Sequence, residues 1–165
     1  MKRTDTVAQL GPQDRLPRDR YILRCLTATF GMSQNQNPMI TVDWEIVSDA
    51  SGSDTVQVGD RSFNIAGKKV RKWYLTRNMA DVFDLFDACG CTKDEIDENN
   101  PPVQELVGKT VDAILYTKES PKFKEPTLEQ RAQGAKVGDP ILGADGQPIK
   151  FCEIVIDRVL GPVTV

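Results

Sequence analysis

Over residues 40–46 the chain alternates apolar and polar side chains one by one. Ile40, Val42, Trp44 and Ile46 fall on one side, and Thr41, Asp43 and Glu45 on the other. Successive side chains of an extended backbone point to opposite faces, so this run is a strand with one face in a core and one in water. Such a strand needs neighbours for its backbone donors and acceptors. The rest of the chain supplies them. Residues 21–30 are rich in Leu, Ile, Thr and aromatics. Residues 61–76 are β-like, with a turn or bulge at Gly67. Residues 107–117 place Val111, Ala113 and Leu115 on one face, and residues 151–160 do the same with Cys152, Ile154 and Ile156. The turn-rich stretch 48–60 holds one further short strand at 55–58.

One segment changes period. Met79, Val82, Phe83, Leu85 and Phe86 recur at helical spacing after Asn78, a plausible N-cap, and the pattern stops at Gly90. A short helix over 127–132 and a tight turn at Asp145-Gly146 punctuate the polar stretch 118–150. The order is three strands, a helix, a strand, a long loop and a last strand. That predicts a mainly β chain with one helix, folded as an OB-fold-like five-stranded Greek-key barrel with a long loop between its fourth and fifth strands. A β-sandwich would show more strands and no helix here. Residues 1–20, with Pro12, Pro17 and four basic positions up to Arg18, read as an extended basic arm, and residues 21–165 as a single domain.

Composition removes many activities. With 165 residues the chain suffices for one domain with its own core. It contains no histidine, which excludes Ser-His-Asp and Cys-His nucleophiles, HExxH zinc sites and a histidine general base. Of the four cysteines only Cys89 and Cys91 are close, as an unmatched CxC, and Cys25 and Cys152 lie inside apolar runs. Two short cysteine hooks are missing, so we expect reduced, partly buried thiols in a cytoplasmic protein and no metal or other cofactor. No apolar run approaches a membrane span, and residues 1–20 lack an apolar signal core. The clustered acids Asp94, Glu95, Asp97 and Glu98 lack calcium-loop spacing, and Gly108-Lys109-Thr110 lacks the upstream glycine of a phosphate loop. We therefore expect no enzyme.

The net charge of −3 conceals a strong separation. Residues 61–77 hold Arg61, Lys68, Lys69, Arg71, Lys72 and Arg77 without one acid, interleaved with Phe63, Trp73 and Tyr74. Residues 81–105 hold eight acids against Lys93 alone. Cations beside aromatic faces are what a single-stranded nucleic acid requires, phosphates meeting the cations and bases stacking on the rings. The loop after the fourth strand begins with Tyr116, Lys118, Lys122, Phe123 and Lys124, again basic and aromatic. In an OB-fold both segments belong to the binding face. The candidate site is thus Arg61, Lys68, Lys69, Arg71, Lys72, Trp73, Tyr74, Tyr116, Lys118, Lys122, Phe123 and Lys124. Plain structure accounts for some of this: strand residues alternate faces, Trp73 could be core, and a basic strand could be a solvated edge that resists aggregation. Trp44, on the apolar face, is read as core.

Several stretches together resemble a group of phage-encoded single-stranded-DNA-binding and recombination-associated OB-fold proteins. They are the Tyr-led first strand Tyr21-Ile22-Leu23-Arg24, the run from Pro38 to Ile46, the helix Val82-Phe83-Asp84-Leu85-Phe86 ending at Gly90, and the Leu106–Ala113 approach to the fourth strand. The resemblance covers roughly residues 20–160 and implies a protein that coats single strands of DNA during replication or recombination. It departs at the end of the chain, Gly161-Pro162-Val163-Thr164-Val165, where many replication-type relatives carry an acidic, partner-recruiting tail. The competing expectation is a structural or scaffold virion protein, whose arm contacts neighbouring subunits and whose charge separation drives assembly into a homo-oligomer.

Overall fold

The computed structural model describes residues 15–121 and 150–163, together with residues 8–9, 128, 132, 134 and 144–147. Five long strands form one antiparallel sheet: β2 (Asp19–Met32), β3 (Pro38–Asp49), β6 (Lys69–Leu75), β7 (Thr110–Pro121) and β8 (Lys150–Pro162). Their spatial order is β6-β3-β2-β7-β8. A smaller sheet joins β1 (Ala8–Gln9), β4 (Thr55–Val58) and β5 (Arg61–Asn64), with β1 parallel to β5. Between β6 and β7 in the chain come helix α1 (Met79–Ala88) and one 3₁₀ turn (Val103–Leu106). The mainly β class with one helix, the half-buried strand carrying Ile40–Ile46 and the short strand at 55–58 all follow the sequence pattern.

Alternation builds the core. Along β3 every second residue from Ile40 to Ile46 is fully enclosed, and Trp44 is 0 % exposed. Tyr21, Leu23 and Cys25 of β2 join Val111, Ala113 and Leu115 of β7, and α1 adds Val82, Leu85 and Phe86. β2 serves two neighbours, pairing with β3 along most of its length and with β7 over Asp19–Arg24. It makes the change of direction through register shifts at Ile22/Leu23 and Cys25/Thr27, the extra residue bending the strand.

One expectation is decided and another corrected. Of the turn or bulge expected at Gly67 the turn forms, and it divides the basic stretch 61–76 into two strands. Gly67, at φ 83, and the Lys68-to-Ile65 backbone bond turn the chain, so β5 and β6 lie in different sheets. The five-stranded sheet also does not close into a barrel, because β6 and β8 form no backbone ladder. The Lys72 ammonium instead donates to the Ile156 carbonyl at 3.2 Å, linking the two edges through a side chain.

Of the segment expected to be an arm, residues 15–20 are held on the body. Leu16 is buried, its backbone exchanges hydrogen bonds with the Thr117 hydroxyl at 2.7 and 2.8 Å, and Asp19 already opens β2. The helix expected over 127–132 lies largely outside the described residues, of which Leu128 and Ala132 are helical. The Asp145-Gly146 turn is present, with the Gln147 amide donating to the Asp145 carboxylate at 3.1 Å.

Candidate functional site

Strand β6 sorts its side chains into two sets. Val70, Lys72 and Tyr74 turn inward, while Lys69, Arg71 and Trp73 turn outward. Tyr74 is only 7 % exposed and belongs to the core. Lys72 lies half-buried over the Tyr74 ring, 5.5 Å from its centroid, and burial lowers its pKa against the pull of Asp81 and Asp157. Trp73 is 54 % exposed, so of the two aromatics on this strand the larger one faces water.

The register of the sheet fixes what surrounds Trp73. Thr41 of β3 stands opposite it, and Thr29 of β2 stands opposite Thr41, so the row running inward from the indole holds only short side chains. Met39, paired with Leu75, continues the same face, and Met32 at the end of β2 is exposed. In the other direction the face becomes ionic. Arg71 grips Asp43 with its Nε at 2.6 Å and Nη2 at 3.1 Å, and the Thr27 hydroxyl donates to the same carboxylate at 3.2 Å. These contacts, Arg71 first, hold the Asp43 carboxyl below its usual range despite partial burial, with Lys69 adding to the pull. One step further, Lys69 pairs across the sheet with Glu45, which accepts from Arg24 at 3.2 Å. The exposed face of β6, β3 and β2 therefore grades from an aromatic platform into a ladder of paired charges.

The remaining candidates lie elsewhere. Arg61 sits in the small sheet, its guanidinium 4.8 Å from the Phe63 centroid, and Lys68 occupies the turn before β6. Tyr116 follows the Leu115 partner of Asp19, whereas Trp73 lies level with Thr29. Those two levels are about ten residues apart along β2, roughly 33 Å of extended chain at ~3.3 Å per residue. The Tyr116 ring is moreover covered by Arg18, whose guanidinium lies 5.4 Å from its centroid. Lys118 is exposed and faces Glu153 across β7 and β8. Lys122, Phe123 and Lys124 fall outside the described residues. The described sheet thus brings Lys69, Arg71 and Trp73 together and leaves Tyr116 and Lys118 at its far end.

Beside β6 the open edge of the sheet borders a groove of about 700 Å³, walled by α1 and the last residues of β8. Lys72, Arg77 and Arg158 contribute cations, but α1 lines it with Asp81, Asp84 and Asp87. That wall is acidic, whereas the outer sheet face carries the exposed Trp73 beside paired charges. Arg24, bonded to Glu45 on the outer face, and Arg77, in the groove, were not among the candidates. Arg77 was visible as the last charge of the basic stretch, whereas Arg24 required the β2–β3 register. Among the described residues no helix is long and apolar enough to cross a membrane. The chain matches no protein-family model, and comparison with curated proteins and with solved structures likewise finds no match.

Proposed function

We propose that the chain is a non-enzymatic single-stranded-DNA-binding protein of the kind phages encode, acting in replication or recombination. It binds through the outer face of β6, β3 and β2. The observation that carries this reading is the exposure of Trp73 on an edge strand, on the same face as Lys69 and Arg71. An indole in water is costly unless something covers it, and a stacked base contributes about 1–3 kcal/mol. Thr41 and Thr29 are too short to cover the ring, and the adjoining cations can meet the phosphates on either side of a stacked base.

The architecture is consistent with an OB-type barrel left partly open. The order β6-β3-β2-β7-β8, the helix between the third and fourth long strands, and the bent β2 shared by two neighbours support that assignment. In this fold the second and third strands, here β3 and β6, form the ligand face.

Titration with an oligothymidylate tests the reading through tryptophan fluorescence, since Trp44 is enclosed and only Trp73 can respond to a stacked base. We expect quenching that weakens as salt rises, and a Trp73→Ala variant that loses the signal and about tenfold in affinity. Absence of binding at low salt, or binding indifferent to both salt and Trp73, would exclude it.

A further inference from the structure

We propose that Asp43 is a built-in phosphate mimic that occupies Arg71 in the free protein and sets what an incoming anion must offer to displace it. This rests on the nucleic-acid reading above and deepens it. The guanidinium meets the carboxylate as a fork, Nε to Oδ1 at 2.6 Å and Nη2 to Oδ2 at 3.1 Å. A phosphate takes the same two donors in the same geometry. Thr27 holds the carboxylate from β2 by its own hydrogen bond at 3.2 Å, and the strand ladder fixes Asp43 opposite Arg71. The mimic is therefore held in place by groups other than the arginine it occupies.

A tethered carboxylate competes at high effective concentration, so a free anion or an acidic protein surface gains little from Arg71. The acidic wall of α1 on another copy of the chain is one such surface. A polymer behaves differently. Once a base rests on Trp73, two residues along the same face, and a phosphate meets Lys69, the next phosphate is delivered to Arg71 with comparable local concentration. Asp43 thus makes Arg71 responsive to a stacked polyanion and unresponsive to isolated charges. It acts as a specificity-determining residue through the arginine, and it touches no ligand itself.

The test is a double-mutant cycle of Asp43→Asn and Arg71→Ala, read by oligothymidylate affinity across a salt series, with Asp94→Asn as a control of equal charge change on an exposed loop. We expect D43N to bind about three- to tenfold more tightly at low salt. Its log affinity against log salt should steepen by a fraction of about 0.7, the increment for one whole phosphate neutralised on a single strand, because Arg71 shared with Asp43 becomes fully available. R71A should cost less than about twofold in the wild-type background and cancel the whole gain in the D43N background, while D94N leaves the slope unchanged. A wild type that binds, with D43N no tighter and no steeper, overturns the role of Asp43 and leaves the binding face standing. So does an R71A loss of the same size in both backgrounds. If neither wild type nor D43N binds at low salt, both proposals fall. Thermal melts of each variant confirm that affinities are compared between folded proteins.

Discussion

Two tryptophans show how little a residue type reveals about its role. Trp44 and Trp73 are chemically identical, lie on adjacent strands and differ completely in environment. The alternation of β3 places Trp44 inside without ambiguity, whereas β6 is too basic on both faces for its pattern to choose a side for Trp73. The thiols are a second case. Cys25 and Cys89 are enclosed, and burial raises their pKa to about 11 and about 12, with Asp43 adding to the first and neighbouring thiols to the second. Raised pKa values keep both protonated at pH 8, and the thiolate is the reacting form. In native protein at pH 8 we expect a thiol reagent to modify the partly exposed Cys91 and Cys152 and to spare Cys25 and Cys89 until denaturant is added. Rapid native labelling of Cys25 or Cys89 would contradict the enclosure of these thiols in the core.

At the level of the element, α1 shows which local signals suffice. The spacing of Val82, Leu85 and Phe86 declares its buried face, and Gly90 marks its end. The end is a Schellman motif. The Cys91 amide donates to the Phe86 carbonyl at 2.8 Å and the Gly90 amide to the Asp87 carbonyl at 3.0 Å, with Gly90 at φ 74. The start is less regular, because the Asn78 side chain donates to Asp81 at 2.7 Å instead of capping a backbone amide. An alanine at 90 must hold the left-handed conformation and bring its Cβ to 3.5 Å from Pro162. We expect Gly90→Ala to cost about 1–2 kcal/mol, lowering the melting temperature by roughly 2–8 °C. An unchanged melting temperature would mean that this turn relaxes without loss. The separation of β5 from β6 was not legible in the same way. A glycine inside a basic β-like stretch is compatible with a bulge or with a turn, and the choice depends on where β4 and β3 lie.

Across the whole molecule the decisive feature is a sheet whose edges approach without joining. A long polar link spans the gap: Lys72 of β6 reaches the Ile156 carbonyl of β8. Replacing Lys72 by methionine keeps the aliphatic stem and removes the donor. We expect Lys72→Met to speed amide exchange over residues 70–74 and 154–158 and to lower stability by about 1 kcal/mol. Unaltered exchange in both segments would show that packing against α1 alone holds the two edges together. The charge separation of the chain also takes its meaning at this scale. The basic strand does not confront solvent as a bare cationic row, because Arg71 meets Asp43 of β3 and Glu45 of β3 takes Arg24 of β2.

Periodicity and turn chemistry are properties of a few consecutive residues, and they were enough for the β-rich class, the helix, most long strands and the enclosed face of β3. Missing histidine and unmatched cysteines were equally local facts, and they narrowed the chemistry before any fold was known. The facing of Trp73, the capture of Arg71 by Asp43, the distance between Trp73 and Tyr116 and the open edge of the sheet all depend on pairing between residues far apart in the chain. Register is set by the summed fit of every strand to its neighbours. No single strand contains that information, so only the tertiary structure could decide which cations stand beside an exposed indole and which are already paired.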